Sequence, residues 1–156
     1  MSEIRIVCIG KLKERYWREA QAEYIKRLNA FCRPVVIEKK EAVLPKGADA
    51  KQINQALVEE GESLLGACTG SVVALSPEGA ALSSEQFSRQ IKAMREAGNI
   101  SFVVGGSHGL SQKVKDTARF IVSFSAMTMP HQLFRIVLIE QIYRALMIAE
   151  RRTYHK

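Results

Sequence analysis

Residues 100–110 read Ile-Ser-Phe-Val-Val-Gly-Gly-Ser-His-Gly-Leu, an apolar β-forming run that stops in a cluster of glycines. Five residues rich in Val, Ile and Phe, bounded by turn formers, predict a buried strand ending in a tight turn. A short helix is expected to follow from Ser111. Upstream the same alternation repeats. Ile4 to Ile9 reads as a strand closed by Gly10, and Trp17, Ala20, Tyr24, Ile25 and Leu28 then recur at helical spacing. Pro34 to Ile37 is a second strand, and a helix beginning near Asp49 carries Ile53, Ala56, Leu57, Leu64 and Leu65, with Gly61 expected to weaken it locally. Ser71 to Ser76 is a third strand. Ser83 and Gln86 form a capping box ahead of Phe87, Ile91 and Met94. Downstream, Phe120 to Phe124 is a fifth strand, and Pro130 opens the longest periodic segment, with Leu133, Ile136, Val137, Tyr143, Leu146 and Met147.

Strands alternating with helices predict an α/β architecture: a mostly parallel sheet flanked by helices, in one domain over residues 1–156. Ligands of such sheets bind beyond the carboxyl ends of the strands. The loops after the third, fourth and fifth strands therefore become the candidate site.

Composition narrows the function. Hydrophobic residues make up 47% and charged residues 25%, an ordinary globular balance. The 23 Lys and Arg outnumber the 16 Asp and Glu, for a net +7. The excess is at the ends: residues 1–40 net +5, 41–130 net −1 and 131–156 net +3. A fold that joins the ends makes a basic face suited to a polyanion such as RNA. Cys8, Cys32 and Cys68 form no C-x-x-C pair and fit neither a disulfide framework nor a zinc knuckle, so no metal is expected. With no signal-peptide pattern and no apolar run near the ~20 residues of a membrane span, the expectation is a cytoplasmic protein without a membrane partner.

Gly105-Gly106-Ser107-His108-Gly109 matches neither the dinucleotide fingerprint nor the P-loop. It does satisfy G-x-S-x-G, the nucleophile elbow of α/β-hydrolases, with Asp116 and His131 or His155 as conceivable partners of Ser107. A strand-to-helix turn explains the glycines equally well. The loop Phe124-Ser125-Ala126-Met127-Thr128-Met129-Pro130-His131 offers backbone groups for a purine edge, with Met and Phe side chains to cover its ring. The tail Arg151-Arg152-Thr153-Tyr154-His155-Lys156 combines phosphate-binding charge, a stacking ring and a titratable imidazole, although short polar tails are commonly disordered.

Together, GGSHGL at 105–110, FSAMTMPHQLFR at 124–135, EQIYRA at 140–145, the terminal YHK and the opening GKLKERYW at 10–17 resemble the family of the ribosomal RNA large subunit methyltransferase H, within the SPOUT superfamily. The likeness spans the chain. Thr153 departs from it, since the family often has proline before the Tyr-His pair. The resemblance implies a sheet whose C-terminal part is threaded into a trefoil knot, an exception to the rule against knots, and a homodimer. It implies S-adenosylmethionine as the methyl donor and N3 of a pseudouridine in large-subunit ribosomal RNA, in the subunit or the assembled ribosome, as the acceptor. The cofactor contacts it implies are Leu75, Gly105, Phe124, Ser125, Ala126, Met127, Thr128 and Met129. For the substrate and its departing proton, the candidates are His131, Arg135, Tyr154 and His155, with His155 as candidate base and the tail acting within its own chain or across the dimer. A non-catalytic ribosome-binding module, resting on charge alone, is the competing class.

Overall fold

The first strand, β1 (Glu3–Ile9), sets the plan of the computed structural model, which describes residues 1–154. Its side chains alternate between two hydrophobic layers. Ile4, Ile6 and Cys8 face one core, shared with α1 (Arg15–Leu28), α3 (Ser84–Ala97) and α5 (His131–Ala149). Val7 and Ile9 face the other, shared with α2 (Ala50–Gly66) and α4 (Gln112–Thr117). Between the layers β2 (Arg33–Lys39), β3 (Ser71–Ala81), β4 (Ile100–Val104) and β5 (Phe120–Ser123) complete a sheet in the order β2-β1-β4-β3-β5. Every pairing is parallel, so all five strands end at one rim.

The expected strands and helices are all present, with two informative differences. β3 runs on to Ala81, five residues past the apolar run, because after a register shift between Leu75 and Ala80 it re-pairs with Val122 and Ser123 of β5. Gly79 permits this, since a Cβ there would come within 2.7 Å of the Ile121 backbone. α2 also runs unbroken through Gly61. Its capping box, Asp49 with Gln52, secures the start, and the glycine is buried where α2 meets the Ser111 hydroxyl that caps α4.

α5 lies between α1 and α3 on the sheet. From β5 at one edge, the chain crosses the carboxyl ends of β3 and β4 and enters α5 beside β1, where Arg135 donates to the Gly10 carbonyl at 3.0 Å. This path fits the threading expected from the family resemblance. It also joins the basic chain ends: Gln132 accepts from the Lys13 amide at 2.7 Å, and α1 packs along α5.

Gly61→Ala tests the packing. Alanine gains about 1 kcal/mol in helix propensity, but its Cβ would lie 2.4 Å from Ser111 Oγ and 3.1 Å from Val114 Cγ2. The expected result in urea denaturation is a net loss of about 1–3 kcal/mol. A gain in stability would show that α4 yields freely.

Candidate functional site

The loops after β3, β4 and β5 converge on a cavity of about 340 Å³, within the range of small-molecule sites (about 300–1,000 Å³). Leu75, Val104 and Val122, side by side on three adjacent strands, form its floor. One wall is the glycine turn. Gly109 takes φ +83 and its amide donates to the Gly106 carbonyl at 3.1 Å, folding the turn onto itself. A Cβ on Gly105 would lie 2.3 Å from the Gly109 oxygen, so only glycine closes this turn without displacement.

The other wall is the loop between β5 and α5. Phe124 anchors it, with its ring edge-on to Phe87 at 5.7 Å and tilted against Phe134 at 5.6 Å. Ser125 Oγ accepts from the Met127 amide at 2.9 Å, a local turn that sends the following residues outward. Met127 is 81% exposed, and Ala126 and Thr128 are exposed as well. The result is a small pocket with an anchored aromatic base and a solvent-facing upper lip.

Seven of the eight expected cofactor residues, Leu75, Gly105, Phe124, Ser125, Met127, Thr128 and Met129, line this one cavity. Ala126 stands in the same loop but outside the lining. Ser76, Pro77, Gly106, Ser123 and Phe134 also line it. The first four are sequence neighbours of expected residues and could have been found by extending each loop by one or two positions. Phe134 enters only because α5 starts at the rim.

The hydrolase reading is corrected by the contacts of its serine. Ser107 Oγ donates to Glu41 Oε1 at 2.9 Å rather than to an imidazole, and Asp116 is exposed and accepts from Gln112 at 2.9 Å. Among the described residues, no imidazole is therefore hydrogen-bonded to the hydroxyl as the elbow requires.

The four expected substrate residues separate. His131 is exposed at the start of α5 and lines the cavity. Arg135, one turn on, is 4% exposed. Its Nη2 holds the Gly10 carbonyl, while Nη1 lies 3.2 Å from Glu38 Oε1, outside hydrogen-bond geometry, and has no hydrogen-bond acceptor. Beside it, burial pushes the Cys8 thiol up to about 11 even though the guanidinium pulls the other way. Tyr154 lies elsewhere. Its hydroxyl donates to Glu140 Oε1 at 3.2 Å, its ring meets Tyr143 edge-on at 4.9 Å, and the Arg144 guanidinium covers it at 4.9 Å. Burial and the Glu140 carboxylate push the phenol up to about 12, so at neutral pH it is a proton donor. Glu140 is nine residues beyond His131, about 14 Å along the helix at 1.5 Å per residue. Tyr154 is thus remote from its own chain's cavity. His155 lies outside the described residues.

Comparison with known proteins identifies the family. The family model described as "Predicted SPOUT methyltransferase" matches residues 2–155. A protein named ribosomal RNA large subunit methyltransferase H from Leuconostoc mesenteroides subsp. mesenteroides is 45% identical, covering 98% of this chain and 99% of its own. One of the same name from Carboxydothermus hydrogenoformans is 44% identical over 99% of each chain. Among solved structures, a probable methylase family protein from Haemophilus influenzae superposes with a TM-score of 0.56 at 14% identity, covering 98% of this chain and 70% of that one. That match concerns the fold.

Arg135→Met should lower stability by about 1–3 kcal/mol in urea denaturation, because it removes the partner of the half-buried Gly10 carbonyl and leaves Glu38 without its cation. An unchanged midpoint would mean that the guanidinium does not fasten α5 to the first loop.

Proposed function

Since the chain belongs to the SPOUT methyltransferase family and to the group of the ribosomal RNA large subunit methyltransferase H, we propose that it transfers a methyl group from S-adenosylmethionine to N3 of a pseudouridine in large-subunit ribosomal RNA. The observation that carries this reading is the convergence of three rim loops on one apolar cavity of about 340 Å³. A binding module read from charge alone does not account for such a cavity.

The cavity suits a nucleoside-sized cosubstrate. Leu75, Val104, Val122 and Phe134 give apolar contact for an adenine ring, while the turning backbones of 105–109 and 124–130 supply amides and carbonyls for its edges. When bound, S-adenosylmethionine supplies an electrophilic methyl carbon on a positively charged sulfur. The acceptor N3 contributes the electron pair of the new bond and loses its proton, while the pair of the broken carbon–sulfur bond stays with sulfur. The protein supplies position and charge. The glycine turn holds the wall without side chains, so donor and acceptor approach across bare backbone. His131, exposed at the lip, can orient the acceptor base or take up the proton, while Arg135, one turn on, is buried and holds the start of α5 in place.

Tyr154 and His155 act, in this reading, on the partner's cavity in a homodimer. Two features support it. Tyr154 is held on the Glu140–Arg144 side of α5, remote from its own cavity. α5 is apolar on more than its core face, with Leu133, Val137 and Ile148 only partly covered. A single domain over residues 1–156 and a cytoplasmic location, where ribosomes are found, complete the reading. No helix among the described residues is long and apolar enough to cross a membrane.

Transfer of labelled methyl to undermodified large subunits and assembled ribosomes, followed by mass spectrometry of the nucleosides, is expected to yield N3-methylpseudouridine. Absence of transfer to every ribosomal RNA form would refute the proposal. Gly105→Ala should weaken S-adenosylmethionine binding at least tenfold in calorimetry, because its Cβ displaces Gly109. A chain ending at Thr153 should bind the cofactor normally yet lose at least a hundredfold in turnover. Full turnover by that chain would remove the tail from the mechanism.

A further inference from the structure

On the far side of Gly105 and Gly106 lies a second cavity of about 180 Å³ that shares Val104, both glycines and His131 with the first. It opens between the carboxyl ends of β1 and β4. These neighbours lead away in opposite directions: β1 passes through α1 to β2 at one edge, and β4 through α4, on the other face, to β5 at the opposite edge. Such a switch point is the crevice in which parallel sheets receive ligands.

Its chemistry is that of an anion site. Lys11, Lys13 and Arg135 line it, against one lining carboxylate, Glu41, which accepts from Ser107. The first amides of the 19-residue helix α5 have no intrahelical acceptors, and its N-cap, Pro130, supplies no side-chain hydrogen bond. An independent observation points the same way: Arg135 is buried to 96% and its Nη1 has no hydrogen-bond acceptor, with Glu38 Oε1 at 3.2 Å compensating part of its charge.

The loop that carries the two lysines is held rigidly. Arg135 holds the Gly10 carbonyl, Gln132 takes the Lys13 amide, and Arg18 donates to the Leu12 and Lys13 carbonyls at 3.3 and 2.7 Å. Leu12, between the lysines, is buried while both lysines are exposed. The segment GKLKERYW is thereby given a purpose that methyl transfer at the first cavity leaves unassigned.

We propose that this second cavity binds a backbone phosphodiester of the acceptor RNA strand next to the target nucleotide, through Lys11, Lys13, the Nη1 edge of Arg135 and the start of α5. This rests on the reading of the protein as a ribosomal RNA methyltransferase. The shared wall at Gly105–Gly106 then fixes the spacing between the gripped phosphate and the base presented to the donor.

The test compares the full-length chain with Lys11→Ala/Lys13→Ala, with the charge-conserving Lys11→Arg/Lys13→Arg, and with Lys46→Ala/Lys51→Ala, a control removing two exposed lysines elsewhere. Ribosome binding is measured against salt, S-adenosylmethionine binding by calorimetry, and methyl transfer at saturating cofactor. For Lys11→Ala/Lys13→Ala, ribosome affinity should fall at least tenfold near 0.15 M salt. The slope of log affinity against log salt should flatten by about 1.4, two contacts at about 0.7 each. Its cofactor affinity should stay within twofold of the parent, and the arginine pair and the control should stay within threefold for ribosomes. Ribosome binding unchanged in Lys11→Ala/Lys13→Ala, or weakened equally in the control, would overturn the phosphate site. Loss of methyl transfer by the parent chain, with ribosome binding intact, would instead overturn the functional reading, and the binding constants would still decide this one.

Discussion

The buried guanidinium of Arg135 is the tie on which the arrangement depends. It joins α5 to the first loop of the chain, 125 residues away, by a hydrogen bond to the Gly10 carbonyl and by proximity to Glu38. Hydrogen bonds to charged groups contribute about 1.5–3 kcal/mol, and a buried charge is costly to leave without partners. Once fixed, this contact sets the start of α5 over the carboxyl ends of β1 and β4. The β5–α5 loop must then cross the rim, where it becomes a wall of the cavity.

A second constraint is steric. The glycine turn after β4 is one backbone layer thick, closed by the bond between Gly109 and Gly106, with no room for a Cβ on Gly105. A thin wall lets two cavities lie back to back, one apolar and floored by strand ends beside Phe124, the other lined by cations. A neutral, shape-determined pocket and a charged one suit different parts of a reaction between a small donor and a polyanion. Their adjacency turns two separate binding events into one geometry.

The C-terminal residues show how charge is stored when it is not in use. Glu140, Arg144, Tyr143 and Tyr154 form a connected cluster in which the tyrosine donates to the carboxylate and lies under the guanidinium. Arg152 covers Phe31 in a similar way at 4.9 Å. Among the described residues, Tyr154 and Arg152 are thereby held against α5 and Phe31. This ordering comes from aromatic and cation–π contacts that a composition argument does not weigh.

The sequence by itself determined the succession of strands and helices, because period-two and period-3.6 patterns and the caps at Asp49, Ser83 and Ser111 act locally. It also located the rim loops, since glycine and small hydroxyl residues after an apolar run mark them directly. Only the tertiary structure decided that β4 inserts between β1 and β3, that β3 extends through a register shift, and that Gly61 is a packing site. Those outcomes depend on partners far away in the chain. The same holds for the second cavity, whose lysines and arginine are more than 100 residues apart in sequence and become neighbours only when α5 returns to β1.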